Sequence, residues 1–224
     1  MKKFAFLFFA LVCFSVSASP AQDISQFNAV RKDNSGLYVS LSDGVLFGKA
    51  SSAYGGVHIT TGECLESEIT YSGIGNLIDL KIGGEVFRNF MLHATFIYGF
   101  VNEPSTDTII RKSAGNSILY RSRAYPDAIS ETIFGIGATY YFSQYDIFIS
   151  FSAGNGYFGI SNVNETTNTD YGLGFQAQAG KEWRINENWG VGASLSYIQT
   201  NGSSELCENW RSDRYAVQVR ATFK

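Results

Sequence analysis

The fold class is decided by the stretch Tyr171–Tyr197, YGLGFQAQAGKEWRINENWGVGASLSY, because its polarity repeats every second residue. From Trp189 to Tyr197, the odd-numbered positions are aromatic or aliphatic and the even-numbered ones are glycine or serine. The segment before Ile185–Asn188 alternates in the same way. A period of two, interrupted by a short polar break, is typical of two antiparallel β-strands joined by a tight turn.

The same alternation recurs along the chain and predicts eight strands, whereas no helical period persists over a long window. They are expected at Gly36–Phe47, Asn76–Phe87, Phe90–Val101, Glu131–Phe142, Asp146–Phe158, Asp170–Arg184, Trp189–Thr200 and Asp213–Phe223. The gaps after the second, fourth and sixth strands are short, and the others are long. This rhythm is typical of an antiparallel transmembrane β-barrel with short periplasmic turns and long extracellular loops. Ten strands are the alternative, because Gly56–Thr61 and Asn116–Arg123 also look extended.

Aromatic residues mark both ends of the apolar faces. From Trp189 to Tyr197 is about 26 Å along a strand, or about 20 Å in height at a ~40° tilt, which approaches the apolar band of such barrels. The apolar face is therefore expected to meet lipid, with Lys181 reaching the interface beside Trp183. The predicted aromatic girdle consists of Tyr171, Trp183, Trp189, Tyr197, Tyr215 and Phe223.

The opposite, lumenal face carries charged residues of both signs. They are Asp79, Lys81, Glu85, Glu182, Arg184 and Arg220. Because buried charges must be paired, this set predicts an ion-pair network that plugs the barrel, with a proton or ion path as the alternative. We expect the partner of Arg220 on the second predicted strand. Eight strands enclose an interior that side chains just fill, so a large diffusion pore is not expected.

Composition and charge exclude several other classes of protein. The 224 residues include 23 Gly, 13 Tyr and 18 Phe, a β-rich signature, with 17 basic and 20 acidic side chains. Removing Lys2 and Lys3 with the leader leaves 15 basic against 20 acidic, which excludes a polybasic nucleic-acid binder. The chain has only three prolines and three cysteines, so a proline-rich linker and a disulfide-dense mini-fold are also excluded.

The N-terminus has the three parts of a secretory signal peptide. Lys2 and Lys3 precede the apolar run Phe4–Phe14, and small residues follow up to Ala18. The run is shorter than the roughly 20 residues of a membrane-spanning helix, and the residues before Cys13 fit a lipoprotein signal poorly. We expect a signal peptide at 1–18, a periplasmic segment at 19–35 and a barrel at 36–224.

On these features, the chain resembles the small outer-membrane β-barrels of the OmpA and OmpX type. Lys181–Gly192, KEWRINENWGVG, looks like the hairpin before the last strand pair of that family. Tyr215–Phe223, YAVQVRATF, looks like its C-terminal insertion signal, although Lys224 follows the aromatic residue that usually ends it. Nothing resembles the peptidoglycan-binding domain that OmpA proteins carry. The resemblance implies outer-membrane lipids and the barrel-assembly machinery as partners, with a monomer, an unidentified surface ligand and no nucleic acid.

The sequence is expected to encode a structural or surface-interaction role, and two other functions are the alternatives. Lipid A-modifying barrels place catalytic His, Ser or Asp residues near the outer rim, so Ser51, Ser52 and His58 suggest an enzyme hypothesis. No spacing ties a base to a nucleophile here, so no catalytic residue is assigned. A soluble lipocalin-like carrier is the third class, and it would require an apolar cavity.

No cofactor or metal is expected. Gly154–Gly159, GNGYFG, satisfies a dinucleotide pattern, but a polar loop follows it where the pattern requires a helix. His93 has lumenal parity and is expected to be a hydrogen-bonded structural residue. Two separated histidines without a Cys/His cluster do not form a transition-metal pattern.

Cys64 and Cys207 fall in the first and last predicted long loops. Closing the barrel brings those loops together, and an exported protein passes through an oxidising compartment. The sequence therefore predicts a Cys64–Cys207 disulfide, with two separate thiols or an intermolecular bond as the alternatives.

Overall fold

The computed structural model describes residues 36–57, 64–112, 117–123, 126–162, 165–203 and 209–224. These residues form eleven strands: β1 (Leu37–Val57), β2 (Cys64–Phe87), β3 (Phe90–Asn102), β4 (Ser105–Lys112), β5 (Ser117–Arg123), β6 (Ala128–Phe142), β7 (Ile147–Ser161), β8 (Thr166–Asn168), β9 (Gly172–Arg184), β10 (Trp189–Gly202) and β11 (Asn209–Phe223). The predicted signal peptide and the 19–35 segment lie outside the described residues. No helix in the described part of the chain is long and apolar enough to cross a membrane.

Eight strands form a closed antiparallel wall in the order β1-β11-β10-β9-β7-β6-β3-β2. Closure follows from β1, which pairs with β11 on one side and with β2 on the other. The predicted eight-stranded antiparallel barrel is therefore confirmed.

Each wall strand separates an outward from an inward set of side chains, because successive residues of a strand point to opposite faces. On β10, the outward Trp189 and Leu195 are exposed, whereas the inward Ser194 and Ser196 are buried. The other wall strands repeat this division, so the alternation read from the sequence corresponds to the two faces of the wall.

Three tight turns lie at one end of the barrel, here called the short-turn end. They are Arg88–Asn89, 143–146 and 185–188. Asn89 has a φ of 66°, a left-handed conformation that asparagine tolerates better than most residues. Its backbone N–H donates to Glu85 Oε1 at 2.7 Å, which fixes the turn. The opposite end is called the long-loop end.

At the long-loop end, the strands continue well beyond their predicted limits. β1 and β2 pair without interruption from Leu37↔Gly84 to Val57↔Cys64, so most of the first predicted loop is a hairpin. The second predicted loop contains the hairpin β4–β5, and β4 pairs with the outer part of β2. Of the segments that suggested ten strands, the described residues 56–57 and 117–123 lengthen the rim of an eight-stranded wall, and the rest lie outside the described residues.

Inward-facing glycines make room for large side chains in the narrow interior. A Cβ atom on Gly137 would strike the His93 ring, and one on Gly99 would strike Leu46. An eight-stranded barrel leaves space for little more than its own side chains, so small and large inward residues must complement each other.

Candidate functional site

The inward side chains of β11 pass through successive layers of the lumen. From the short-turn end to the long-loop end they include Arg220, Gln218, Ala216, Arg214 and Trp210, all of them buried. Each one contacts a different group of residues, so this strand orders the layers along the barrel axis.

The layer nearest the short-turn end is an ion-pair cluster around Glu182 on β9. Its Oε1 lies 2.6 Å from Lys224 Nζ, and its Oε2 lies 3.7 Å from Arg220 Nε. The Tyr141 hydroxyl donates to the same Oε2 at 3.1 Å, and Arg220 Nη2 donates to the Tyr38 and Tyr141 hydroxyls. The carboxylate paired with Arg220 is therefore on β9, not on the second predicted strand as expected.

The next layer, the central polar cluster, is built on the fully buried Lys81. Its Nζ donates to Asp79 Oδ2 at 2.8 Å, to Gln176 Oε1 at 3.1 Å and to Gln178 Oε1 at 2.7 Å. Gln176 Nε2 donates to Asp79 Oδ2 at 3.0 Å, and Gln178 Nε2 donates to Gln218 Oε1 at 3.0 Å. Side chains from β2, β9 and β11 are thus linked across the lumen by hydrogen bonds.

Above the central polar cluster, an aliphatic layer crosses the lumen. Its side chains come from six of the eight wall strands and form one buried apolar group: Leu46, Leu77, Ile97, Val101, Ile133, Ile198 and Ala216. This layer separates the central polar cluster from the polar groups closer to the long-loop end.

Beyond the aliphatic layer lies a second buried ion pair, whose residues were not among the predicted lumenal charges. Arg214 Nε is 3.1 Å from Glu131 Oε2, and the Ser212 hydroxyl donates to Glu131 Oε1 at 2.7 Å. Arg214 has the same inward parity as Arg220, so the alternation of β11 could have revealed it. A buried aromatic cluster follows, in which Trp210 stacks on Tyr71 with ring centroids 5.7 Å apart.

The structure brings four of the six predicted lumenal charges into buried clusters and leaves two at the short-turn end. Asp79 with Lys81, and Glu182 with Arg220, form the buried pairs. Glu85 is partly exposed and binds the Arg88–Asn89 turn, while Arg184 is exposed at the end of β9.

His93 is buried in the lumen, on the inward face of β3. Its Nε2 lies 3.0 Å from the hydroxyl of Thr139, which in turn donates to Ser150 at 2.9 Å. Among the described residues, no group of three or more His, Cys, Asp or Glu side chains could hold a metal ion.

All six predicted girdle residues lie on the outward face, in two groups. Toward the short-turn end, Trp189 and Phe223 have ring centroids 5.4 Å apart, and Trp183 is half exposed. Toward the long-loop end, Tyr197 and Tyr215 lie 5.3 Å apart. Tyr171 makes an edge contact with Tyr157 at the same end.

A polar network lies just beyond the long-loop side of the girdle. The Tyr197 hydroxyl donates to Asp213 Oδ1 at 2.6 Å, and Arg211 Nε donates to Asp213 Oδ2 at 3.0 Å. Although partial burial opposes the effect, the hydrogen bonds from Arg211 and Tyr197 hold the pKa of Asp213 below its usual range. The apolar outer face is therefore bounded by charged groups on this side.

The structure describes only some of the residues on which the enzyme and disulfide hypotheses depend. Ser52 is buried on β1, and its hydroxyl has no hydrogen-bond partner among the described residues. Ser51 faces the other way on the same strand. His58 and Cys207 lie outside the described residues, and Cys64 is described only as the first residue of β2.

The fold is that of the small outer-membrane β-barrels. A crystal structure of Neisserial surface protein A covers 83% of this chain and 97% of its own, at 14% identity and a TM-score of 0.51. Two weaker neighbours are Ail of Yersinia pestis (13% identity, 84% and 99% coverage, TM-score 0.39) and the outer membrane protease OmpT from Escherichia coli (11%, 84% and 96%, 0.41). No protein-family model matches the sequence, and no curated protein matches it either. At these identities, the likeness establishes the fold alone.

Proposed function

We propose that this protein is exported and inserted into a bacterial outer membrane, where it acts through its outer loops in a membrane-structural or surface-interaction role. The observation that carries this proposal is the inverted distribution of polarity. Among the described residues, buried polar side chains outnumber buried hydrophobic ones, while many large hydrophobic side chains are exposed. A soluble protein rarely leaves so much contiguous apolar surface in water.

The dimensions of the apolar surface support insertion. The outward residues between Trp189 and Tyr197 form a band about 20 Å high at a ~40° tilt, close to the apolar band of outer-membrane barrels. Closure of the wall pairs the edges of the sheet, which hydrocarbon requires because it offers no hydrogen bonds to unpaired backbone groups.

The aliphatic layer argues against a diffusion pore. Ions and polar solutes would have to pass seven apolar side chains that meet in one buried group. The lumenal charges on either side of this layer are held in ion pairs, so they support a structural plug better than a continuous proton or ion path. Polar and apolar layers of side chains fill the interior in turn, which disfavours a lipocalin-like carrier because such a carrier needs an open apolar cavity.

The two ends of the barrel differ in the length of their connections, and this difference indicates which end interacts with other molecules. In the described part of the chain, the short-turn end has tight turns, while the long-loop end carries the β1–β2 and β4–β5 hairpins. We place the long-loop end outside the cell, because outer-membrane barrels keep their long loops there. Residues 1–18 would direct export, and the C-terminal strand would engage the barrel-assembly machinery.

Membrane fractionation of cells that produce the full chain tests this proposal. We expect the protein to remain in the membrane after a carbonate wash and to migrate faster on an unheated gel than on a heated one. Complete extraction by carbonate, with equal mobility of heated and unheated samples, would contradict the proposal. A known soluble periplasmic protein serves as the control for extraction.

A further inference from the structure

The outer wall carries a polar pair where the surrounding side chains are apolar. Asn76 Nδ2 on β2 donates to Asp43 Oδ1 on β1 at 3.0 Å, and the bond lies on the exposed face of the barrel. The neighbouring outward residues are apolar and 38–49% exposed: Leu41, Val45, Ile78 and Val219.

Asp43 lies midway between the two aromatic rows. On β1, Val39 pairs with Phe223 and Phe47 pairs with Tyr215, and Asp43 is four residues from each. Four residues correspond to about 13 Å along the strand, or about 10 Å in height at a ~40° tilt. An aspartate side chain is too short to reach either interface from there, in contrast to the long side chain of Lys181 beside the girdle.

The hydrogen-bonding capacity of the pair exceeds what one chain uses. An amide offers two N–H donors and one acceptor, and a carboxylate offers about four acceptor sites. Within the chain, the Asp43 carboxylate accepts from Asn76 Nδ2 and from the backbone N–H of Gly44, which leaves further acceptor sites on the carboxylate and the second N–H of the amide. Ionisable groups that face hydrocarbon are rare, and they mark sites where another group supplies a partner.

The pair is complementary to a copy of itself. Across a two-fold axis, the second N–H of Asn76 would meet the carboxylate of the other Asp43, and the reciprocal bond would form by symmetry. A cationic partner would satisfy only the carboxylate and leave the amide N–H unpaired. The flanking apolar residues would pack around the bonds and exclude lipid.

We propose that the β1–β2 face is a self-association surface, on which two copies of this chain pair within the membrane through Asp43 and Asn76. The proposal rests on the membrane location proposed above, and it replaces the monomer expected from the sequence. The reciprocal bonds make the contact isologous, so it closes as a dimer and does not extend into a filament.

Energy transfer between labelled copies tests this surface. The mature full-length protein is labelled at its N-terminus with a donor or an acceptor dye, and the two forms are mixed in phospholipid vesicles at decreasing protein density. The wild type should show transfer above random proximity, lost only on dilution. In Asp43→Val/Asn76→Leu, half-maximal transfer should require at least tenfold higher protein density.

Two further variants separate the pair from general effects. Lys181→Met removes a charge from the outward face of β9, three strands away, and should associate like the wild type. Asp43→Asn keeps donors and acceptors at the same place and should also retain association.

Three results would overturn the proposal: a wild type that transfers no energy beyond random proximity, a double variant that associates like the wild type, or loss of association in Asp43→Asn. Heat-dependent gel mobility, measured on the same vesicles, reports insertion independently. A protein that fails to insert therefore refutes the membrane location, whereas an inserted monomer refutes only the dimer.

Discussion

Replacing Lys81 with methionine should destabilise the barrel strongly, because it leaves a carboxylate buried without its cation. Lys81 and Asp79 are both almost completely buried, and their charged atoms lie 2.8 Å apart. Methionine has nearly the volume of lysine, so the change removes the charge and its hydrogen bonds without creating a large cavity. Gln176 still donates to Asp79, which softens the loss but does not neutralise the charge.

The expected loss in the free energy of unfolding is about 3–5 kcal/mol, the usual cost of removing one partner of a buried ion pair. Gln176 and Gln178 also lose a donor, and an unsatisfied buried acceptor costs about 1–3 kcal/mol where no rearrangement supplies another. In the Lys81→Met background, Asp79→Asn removes the buried charge and keeps an acceptor for Gln176. The double variant should therefore recover most of the loss.

Urea unfolding in phospholipid vesicles, followed by tryptophan fluorescence, measures these differences. The reporters are Trp183 and Trp189 on the outward face and Trp210 in the lumen. The matched control is Lys181→Met, because Lys181 is exposed and its replacement should change stability by no more than about 0.5 kcal/mol. Equal unfolding midpoints for Lys81→Met and Lys181→Met would refute the reasoning. A double variant as unstable as Lys81→Met would show that the unpaired charge is not the cause.

Three further predictions concern the ion-pair cluster around Glu182 and the long-loop end. Glu182→Gln leaves two cations without their carboxylate and should lower the free energy of unfolding by about 3–5 kcal/mol; the exposed Glu187→Gln is the matched control in the same urea assay. Protease added to intact cells should cut within 48–75 or 101–130 and spare the short turns, and cleavage confined to the turns would invert the proposed orientation. Non-reducing peptide mapping should recover a Cys64–Cys207 disulfide, worth about 5 kcal/mol by loop entropy, whereas full alkylation of both thiols in fresh membranes would exclude it.

The wall could be predicted from the sequence because a membrane imposes a strict alternation on every strand that crosses it. Each predicted strand of the wall corresponds to a strand of the structure, and the turn at Arg88–Asn89 lies where the alternation breaks. Within the band the outward residues of a strand must be apolar, whereas the inward ones are small or polar except in the aliphatic layer, so neighbouring positions differ in polarity along most of each strand.

The rim could not be predicted in the same way, because it lies beyond the apolar band. Residues 48–57 are small or polar for the most part, and residues 65–72 mix charged, polar and apolar side chains. Their backbones nevertheless continue the ladder from the wall, so β1 and β2 extend as one hairpin. Where a strand does not face lipid, its side chains need not alternate in polarity. Such a strand is held in place by backbone pairing with the neighbouring strand, as in the outer parts of β1 and β2.

The ion-pair partners of lumenal residues could not be predicted from the sequence either, because they depend on the tilt and stagger of non-adjacent strands. The parity of Arg220 predicts that it faces the lumen, but not which carboxylate it meets. The pairing of β1 with β11 suggested β2, whereas the structure places Glu182 of β9 beside it. The polar position of Asp43 on the outer wall was not predicted for a different reason. A single polar residue does not disturb the apolar alternation of a strand, and its significance depends on where it lies in the apolar band.

The order of the lumenal layers also indicates where function can reside. A path for ions or protons requires polar groups in continuous contact, and Ala216, between Gln218 and Arg214 on β11, belongs to the aliphatic layer that interrupts such contact. On either side of that layer, the charged groups are paired with each other. Rearranging them would expose unpaired charges to an apolar environment, at a cost of several kcal/mol for each. The interior is thus suited to rigidity, and the surfaces left to interact with other molecules are the long-loop end and the polar pair on the outer wall.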